Sequence, residues 1–423
     1  MSTFTPCTTL RSAPDPATAA PSTTRVHAVA NTTAPHNSSG RINLALHDTV
    51  SHTFCLEPTR AGTRQTPLAT RARFDVEYGC LVSVLANPFA RASGVGSWPG
   101  LAPREAAEIV VGELADALAH IVELPARGVG ADAIGRAGAL LIDVAIDTVP
   151  RGYRVAARPG AVTRRAVSLL DEDMDAIEEA WETAGLRGGD RVVKVQAPGP
   201  ITLVAELELA NGHRAITDPG AVRDLGASLA EGVAVHRANL ARRLETPVVV
   251  QFDEPSLPKA LGGRLTGVTA LSPVAPLDEA VAGALLDTCV TVVGDGVLLH
   301  SCAPGLPWDM LQRSAISAVS VDAGTLRADD LDGIAAFVES GRAVMLGVVA
   351  STAPPRRPSA EEVAATLVAV TDRLGFGRSA LRDRIGVTPA CGLAGATTQW
   401  ARTAIELARK VATVFAEDPD AIH

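Results

Sequence analysis

From residue 91 onward the chain repeats one pattern eight times: a short apolar run, then a longer stretch of helical period. The runs are "SGVGSW" (93–98), "HIVELP" (120–125), "RVVKVQ" (191–196), "PVVVQF" (247–252), "GVLLHS" (296–301), "AVSVDA" (318–323), "AVMLGVV" (343–349) and "RIGVTP" (384–389). They are apolar almost throughout and rich in β-branched residues, as parallel strands buried on both faces should be. The segments between them carry helix signals. "PREAAEIVVGELADALA" (103–119) opens on Pro103, a favoured first-turn residue. "SAEEVAATLVAVTDRLG" spaces Ser359 and Glu362 as a capping box and stops at Gly375. "ATTQWARTAIELARKVATVFAE" (396–417) closes the chain with an apolar face. Eight such units in about 330 residues predict an α/β fold, a (β/α)8 TIM barrel. An insertion falls between strands two and three, where "ALLIDVAIDTVPRGYRVA" (139–156) has room for a hairpin. A doubly wound open sheet is the alternative.

Residues 1–90 do not share this pattern. They are rich in Thr, Ala, Pro and Ser, and such a segment buries too little apolar surface to offset its chain entropy. They read as a low-complexity, disordered tail, with 91–423 as the folded domain. The sequence is equally compatible with a true start near Val82 or Val84. The tail carries seven Arg against five acids, so the body is more acidic than the whole chain's net −9. Acidity of that order argues against nucleic acid or an anionic membrane as the main partner. No apolar stretch approaches the roughly 20 residues that span a bilayer, and no signal-peptide pattern opens the chain. The six cysteines (7, 55, 80, 289, 302, 391) show no framework spacing, which fits a reduced, cytoplasmic setting. Three of them fall in the tail, leaving Cys289, Cys302 and Cys391.

A barrel of this class carries its active site at the carboxyl ends of the strands. Those ends hold Ser97-Trp98, Glu123, Gln196, Asp253-Glu254, His300 and Cys302, Asp322 and Cys391. His300 and Cys302 are two apart, so in an extended strand they share a face. Taken alone, that pair reads as a half-buried core cysteine beside a surface histidine. Joined by Cys391 after strand eight and Asp322 after strand six, it forms a set that zinc accepts: two thiolates, one imidazole, one carboxylate. Cys391 precedes the last helix, whose start should favour its thiolate. Cys289 lies in a predicted helix. Asp253 and Glu123 close apolar runs and read either as site carboxylates or as solvated loop starts. "GVGSWPG" places Pro99 at the third glycine of a dinucleotide fingerprint, which excludes that reading. Gly94 and Gly96 instead allow a ligand close to the backbone, with Ser97 as a donor.

The combination of "GVGSWPG", "APGPITL" (197–203), "QFDEPSL", "LLHSCAPG", "VSVDAG" and "TPACGLAG", in this order over residues 94–395, resembles the catalytic barrel of cobalamin-independent methionine synthases. These belong to the larger uroporphyrinogen decarboxylase-like superfamily. The resemblance implies transfer of a methyl group to homocysteine, whose sulfur binds zinc (Zn2+), to form methionine. It makes His300, Cys302 and Cys391 zinc ligands, with Asp322 where the family usually has Glu. Ser97, Glu123 and Asp253 would hold the amino-acid part of homocysteine, with the backbone N–H groups of Gly96 and Ser97 on its carboxylate. After "GPITL" the family usually carries a Trp in its folate site, and here "VAELELANG" follows. Full-length members also have an additional N-terminal barrel that residues 1–90 cannot form. The chain is thus similar to the single-barrel members, and its methyl donor is a methylated folate, a corrinoid protein or another carrier.

Three rival functions remain compatible with the sequence. One is a zinc methyltransferase acting on another thiol, such as coenzyme M. The second is a metal-free decarboxylase of the tetrapyrrole type, which requires arginines at the strand ends, where none is predicted. The third is a non-catalytic barrel with a structural zinc. Because residues 1–80 carry no core-forming pattern, deleting them should leave both the thermal midpoint and the zinc content unchanged. A drop of more than a few degrees in a melting experiment would show that the segment packs on the domain.

Overall fold

The computed structural model describes residues 87–269 and 272–421, and the expectations for the tail up to residue 86 lie outside them. Ten strands are found among the described residues: β1 (Ala119–His120), β2 (Ala145–Val149), β3 (Gly152–Ala156), β4 (Val193–Pro198) and β5 (Leu207–Glu208), then β6 (Val248–Asp253), β7 (Val297–Ser301), β8 (Ala318–Asp322), β9 (Ala343–Val349) and β10 (Ile385–Pro389). Seven of them form one curled sheet in the order β1-β4-β6-β7-β8-β9-β10, parallel throughout. Helices follow the strands and cover the sheet's outer face. Their ends match the sequence signals. Pro103 opens the helix Pro103–Leu114, and Ser359 and Glu362 form a reciprocal capping box on Ala360–Arg373. Thr397 caps Thr398–Glu417.

The first expected strand, 93–98, is present as separate bridges instead of a continuous ladder. On one side Ser93 N–H donates to Val387 O and Val387 N–H to Arg91 O, tying the segment to β10. On the other side Leu118 N–H donates to Ala92 O, Glu123 N–H to Gly96 O and Trp98 N–H to Glu123 O. The segment therefore spans the gap between the sheet's two edge strands. It is irregular because the carbonyls of Gly94 and Val95 accept from the side chains of Lys194 and Gln251 instead of from a neighbouring strand. Gly96 adds a φ of +149°, which a side chain rarely adopts; a Cβ there would also come within 2.7 Å of the Gln196 side chain. The second run is likewise short as a strand, since Pro125 starts a 3-10 turn (Pro125–Arg127).

The hairpin expected within 139–156 is β2–β3, paired from Ala145↔Ala156 to Val149↔Gly152. Residues 139 and 140 belong instead to the preceding helix, Ala133–Leu140. The two-residue β5 pairs in parallel with β3, so "LE" of "VAELELANG" completes a small three-stranded sheet.

Side chains on the inner face of the curled sheet follow the two-residue period of a strand. At the amino-terminal end they are apolar: Leu118, Val249, Leu298, Ala318, Ala343 and Met345 cluster around Phe89, which is 2% exposed. Asn87 caps the short turn Pro88–Ala90 that delivers Phe89. Residues 87–90 thus pack with the body. Toward the carboxyl ends the inner face turns polar, with His120, Lys194, Gln196, Gln251, His300 and Ser320 all buried.

Glu254 joins two more elements. Its carboxylate accepts from Ile201 N–H (2.8 Å), Thr202 N–H (2.7 Å) and Thr202 Oγ1 (2.7 Å), at the start of the helix Pro200–Glu206. Of the two adjacent acids in "QFDEPSL", Glu254 is therefore structural.

Phe89→Ala should destabilise the domain by about 3–5 kcal/mol, as for other buried aromatics cut to Ala. Chemical denaturation would measure it. A loss below about 1 kcal/mol, at the level of an ordinary surface change, would remove Phe89 from the core.

Candidate metal centre

Three donor side chains converge at the carboxyl ends of the sheet. His300 sits on the last turn of extended chain in β7, Cys302 follows that strand, and Cys391 lies two residues beyond β10. Their ligating atoms all lie within 4.8 Å of one another. β8 and β9 separate β7 from β10 in the sheet, so curvature alone brings Cys391 back to His300. The Cys391 turn is pinned by Ala390 N–H donating to Val349 O and by Leu393 N–H donating to Ser97 O. A Cβ at Gly392 would lie 2.0 Å from Ser97 Oγ, so glycine is what lets this turn close against the 91–98 segment.

The imidazole is 4% exposed. Its Nδ1 lies 3.2 Å from Ser320 Oγ, while its Nε2 is buried with no partner among the described residues. A ring held through one nitrogen with the other free is the arrangement of a metal-ligating histidine. The two sulfurs are 2.9 Å apart. Cys391 is pulled well below the usual thiol range, chiefly by the Cys302 thiol and then by His300, while Cys302 is pushed up by the same contact. The two sulfurs thus share one hydrogen bond, and ionising one of them is favoured by the other and by His300. The expected influence of the last helix is not the cause, because that helix starts only at Thr398. Two sulfurs and an imidazole suit a soft divalent ion of zinc type and leave its fourth position open. These residues can hold a metal.

Asp322 is not in this cluster. Its Oδ1 accepts from Gly324 N–H at 2.8 Å and caps the turn Ala323–Thr325. A short Asp side chain finds a backbone donor two residues ahead, which a longer Glu would overshoot. Asp322 still feels the site: burial raises its pKa, and Cys391 adds to the effect.

The other expected residues divide. Asp253, at the end of β6, is half-buried and accepts from Gln251 Nε2 at 2.7 Å. It pairs in register with His300 across β6 and β7, and burial raises its pKa, opposed by His300 and Lys194. Ser97 is half-buried beside Gly392, and the N–H groups of Gly96 and Ser97 have no acceptor among the described residues. Glu123 is buried beside a cation that no strand end supplies. Arg136 Nε lies 3.8 Å from Glu123, and Arg136 also pairs with Asp173, which takes Arg127 at 2.6 Å as well. Burial lifts Glu123 above the usual carboxylate range despite Arg136.

Two further residues escaped the sequence reading, Lys194 and Gln251. Both stand within otherwise apolar strands, and that position was the available signal.

A parallel α/β sheet with an imidazole and two thiols gathered at its carboxyl ends defines a metalloenzyme-like site. The chain belongs to the cobalamin-independent synthase family: the model of that family's catalytic domain matches residues 89–414. It is an enzyme, a methyltransferase of the methionine synthase type. Among solved structures it is similar to a B12-independent methionine synthase from Shewanella sp. W3-18-1 in complex with selenomethionine. That likeness has 14% identity and a TM-score of 0.49, covering 79% of this chain and 99% of the other. A methyltransferase from Methanosarcina mazei is similar at 12% identity and a TM-score of 0.48, over 77% and 94% of the two chains. No curated protein matches the sequence. No helix among the described residues is long and apolar enough to cross a membrane.

Cys302→Ala and Cys391→Ala should each abolish zinc uptake measured by metal analysis. Cys289→Ala should leave it intact, since Cys289 is buried on the helix Glu279–Val293, outside the cluster. Equal zinc content in the three variants would refute the ligand assignment.

Proposed function

We propose that this chain transfers a methyl group to the thiol of homocysteine, with zinc held by His300, Cys302 and Cys391. The observation that carries the reading is the convergence of these three donors within 4.8 Å, beside Asp253. We read the scaffold as a (β/α)8 barrel, with residues 91–98 as its first strand and β2–β3 as the insertion.

Bound zinc would supply a Lewis acid that ionises a thiol of pKa about 8.5 at neutral pH while leaving its sulfur nucleophilic. The protein's residues do the rest. Ser320 keeps the His300 ring turned so that Nε2 faces the sulfurs. Two thiolate ligands lower the net positive charge of the centre and so keep the substrate sulfur electron-rich. Asp253 takes the substrate ammonium, and the unpaired N–H groups of Gly96 and Ser97 take its carboxylate. Glu123, held by Arg136, offers a second carboxylate for the substrate's amino-acid head. The fourth position would be left to the substrate sulfur, since Asp322 is held by its own turn outside the three-donor cluster. The new bond joins the substrate sulfur to the methyl carbon as the methyl leaves its carrier, a methylated folate or a corrinoid. Positioning of the two reactants supplies most of the acceleration.

The decarboxylase reading needs free arginines at the mouth. Arg136 and Arg127 are there, but Asp173 and Glu123 already neutralise them.

Adding homocysteine to the zinc-loaded chain should put one extra sulfur in the first shell seen by zinc-edge spectroscopy and release about one proton per site. Asp253→Asn should weaken that binding by roughly 2–4 kcal/mol, the cost of unpairing a desolvated ammonium, and leave zinc content unchanged. A response to coenzyme M but not to homocysteine would replace this reading with that of a different thiol methyltransferase.

A further inference from the structure

Lys194 is 0% exposed, at the second position of β4. A buried ammonium is costly unless each of its donors is matched. All three are: Nζ donates to Gly94 O at 2.6 Å, to Val95 O at 3.3 Å and to Gln251 Oε1. Burial still lowers its pKa, opposed by Asp253 and Glu123.

The bond to Gln251 decides which way that amide points. An isolated glutamine can present either its oxygen or its nitrogen to a given neighbour. An ammonium has no acceptor, so Oε1 must face Lys194. Nε2 is then forced toward the opposite side, where it donates to Val95 O at 2.7 Å and to Asp253 Oδ1 at 2.7 Å. With the amide reversed, two oxygens would oppose each other at Asp253 and two donors at Lys194.

We infer that Lys194 is a positioning residue that sets the polarity of Gln251, and that Gln251 in turn holds the Asp253 carboxylate in the orientation that receives the substrate's ammonium. The inference rests on the homocysteine reading above. The same ammonium fixes the carbonyls of Gly94 and Val95 and so turns the chain that presents the Gly96 and Ser97 N–H groups. The two ends of the amino-acid recognition site are therefore set from one buried cation.

The test uses the zinc-loaded full chain, titrated calorimetrically with L-homocysteine and with propanethiol, which lacks the amino-acid head. Lys194→Met and Gln251→Met keep the volume nearly constant. Each should weaken homocysteine binding by about ten- to a hundredfold, the range for a lost hydrogen bond to a charged group. Propanethiol binding should stay unchanged. On an Asp253→Asn background, Gln251→Met should have a much smaller further effect, because only its hold on Val95 O remains to be lost. Equal weakening toward both thiols, or fully additive losses on that background, would reduce the pair to general support and overturn the inference. Should Lys194→Met fail to fold, Gln251→Met and its double variant carry the test. A wild-type chain that holds zinc but ignores homocysteine would sink the proposed function; a wild-type chain that binds it, with both variants indistinguishable, would sink this inference alone.

Discussion

The hydrogen bonds that residues 91–98 make to Leu118 and Glu123, which flank β1, on one side and to β10 on the other hold the site together. A parallel sheet left open would carry two rows of unpaired backbone groups, which natural folds cover or pair. Here the pairing has a second effect. It forces the sheet to curl, and only a curled sheet returns the turn after β10 to the end of β7. Cys391 meets His300 and Cys302 because the backbone elsewhere is satisfied. The segment that performs the closure also supplies Ser97, so closure and recognition share the same few residues.

The inner face is divided along its length. Around Phe89 it is a conventional apolar plug, stabilised by burial alone. Above that plug lie a lysine, two histidines and two glutamines, all buried. His120 illustrates the consequence: burial, and then Lys194, hold it neutral by lowering its pKa to about 3. Such groups add little net stability, because their desolvation offsets most of what their hydrogen bonds return. What they provide is direction. Each polar atom in the layer has few alternative partners, so the carbonyls and carboxylates around it have few alternative orientations.

Much of this was readable in the sequence. The capping box at Ser359 and Glu362 depends on local spacing alone, and the buried strands declare themselves by their unbroken apolar runs. The donor set followed from asking what stands where those runs end. The failures share one cause, which is that they depend on partners distant in sequence. The strand at 93–98 loses its regularity to side chains of Lys194 and Gln251 that no local pattern reveals. Arg136 reaches Glu123 only through the helix Ala133–Leu140, and nothing in "IVELPAR" announces that partner. Polar residues inside apolar runs were visible in the sequence, and they carried more information than the residues at the ends.

Glu254 has a consequence for how such a sequence can change over time. Its carboxylate fits only because residue 199 has no side chain: a Cβ at Gly199 would lie 2.2 Å from Glu254 Oε1. Thr202 completes the socket from the same helix turn. "GPIT" and "DEP" thus belong to different strand–helix units yet form one lock. A change in either has to be answered in the other, so the two stretches should be inherited as a pair, and a chimera that exchanges one without its counterpart should be selected against however well each half folds in its parent.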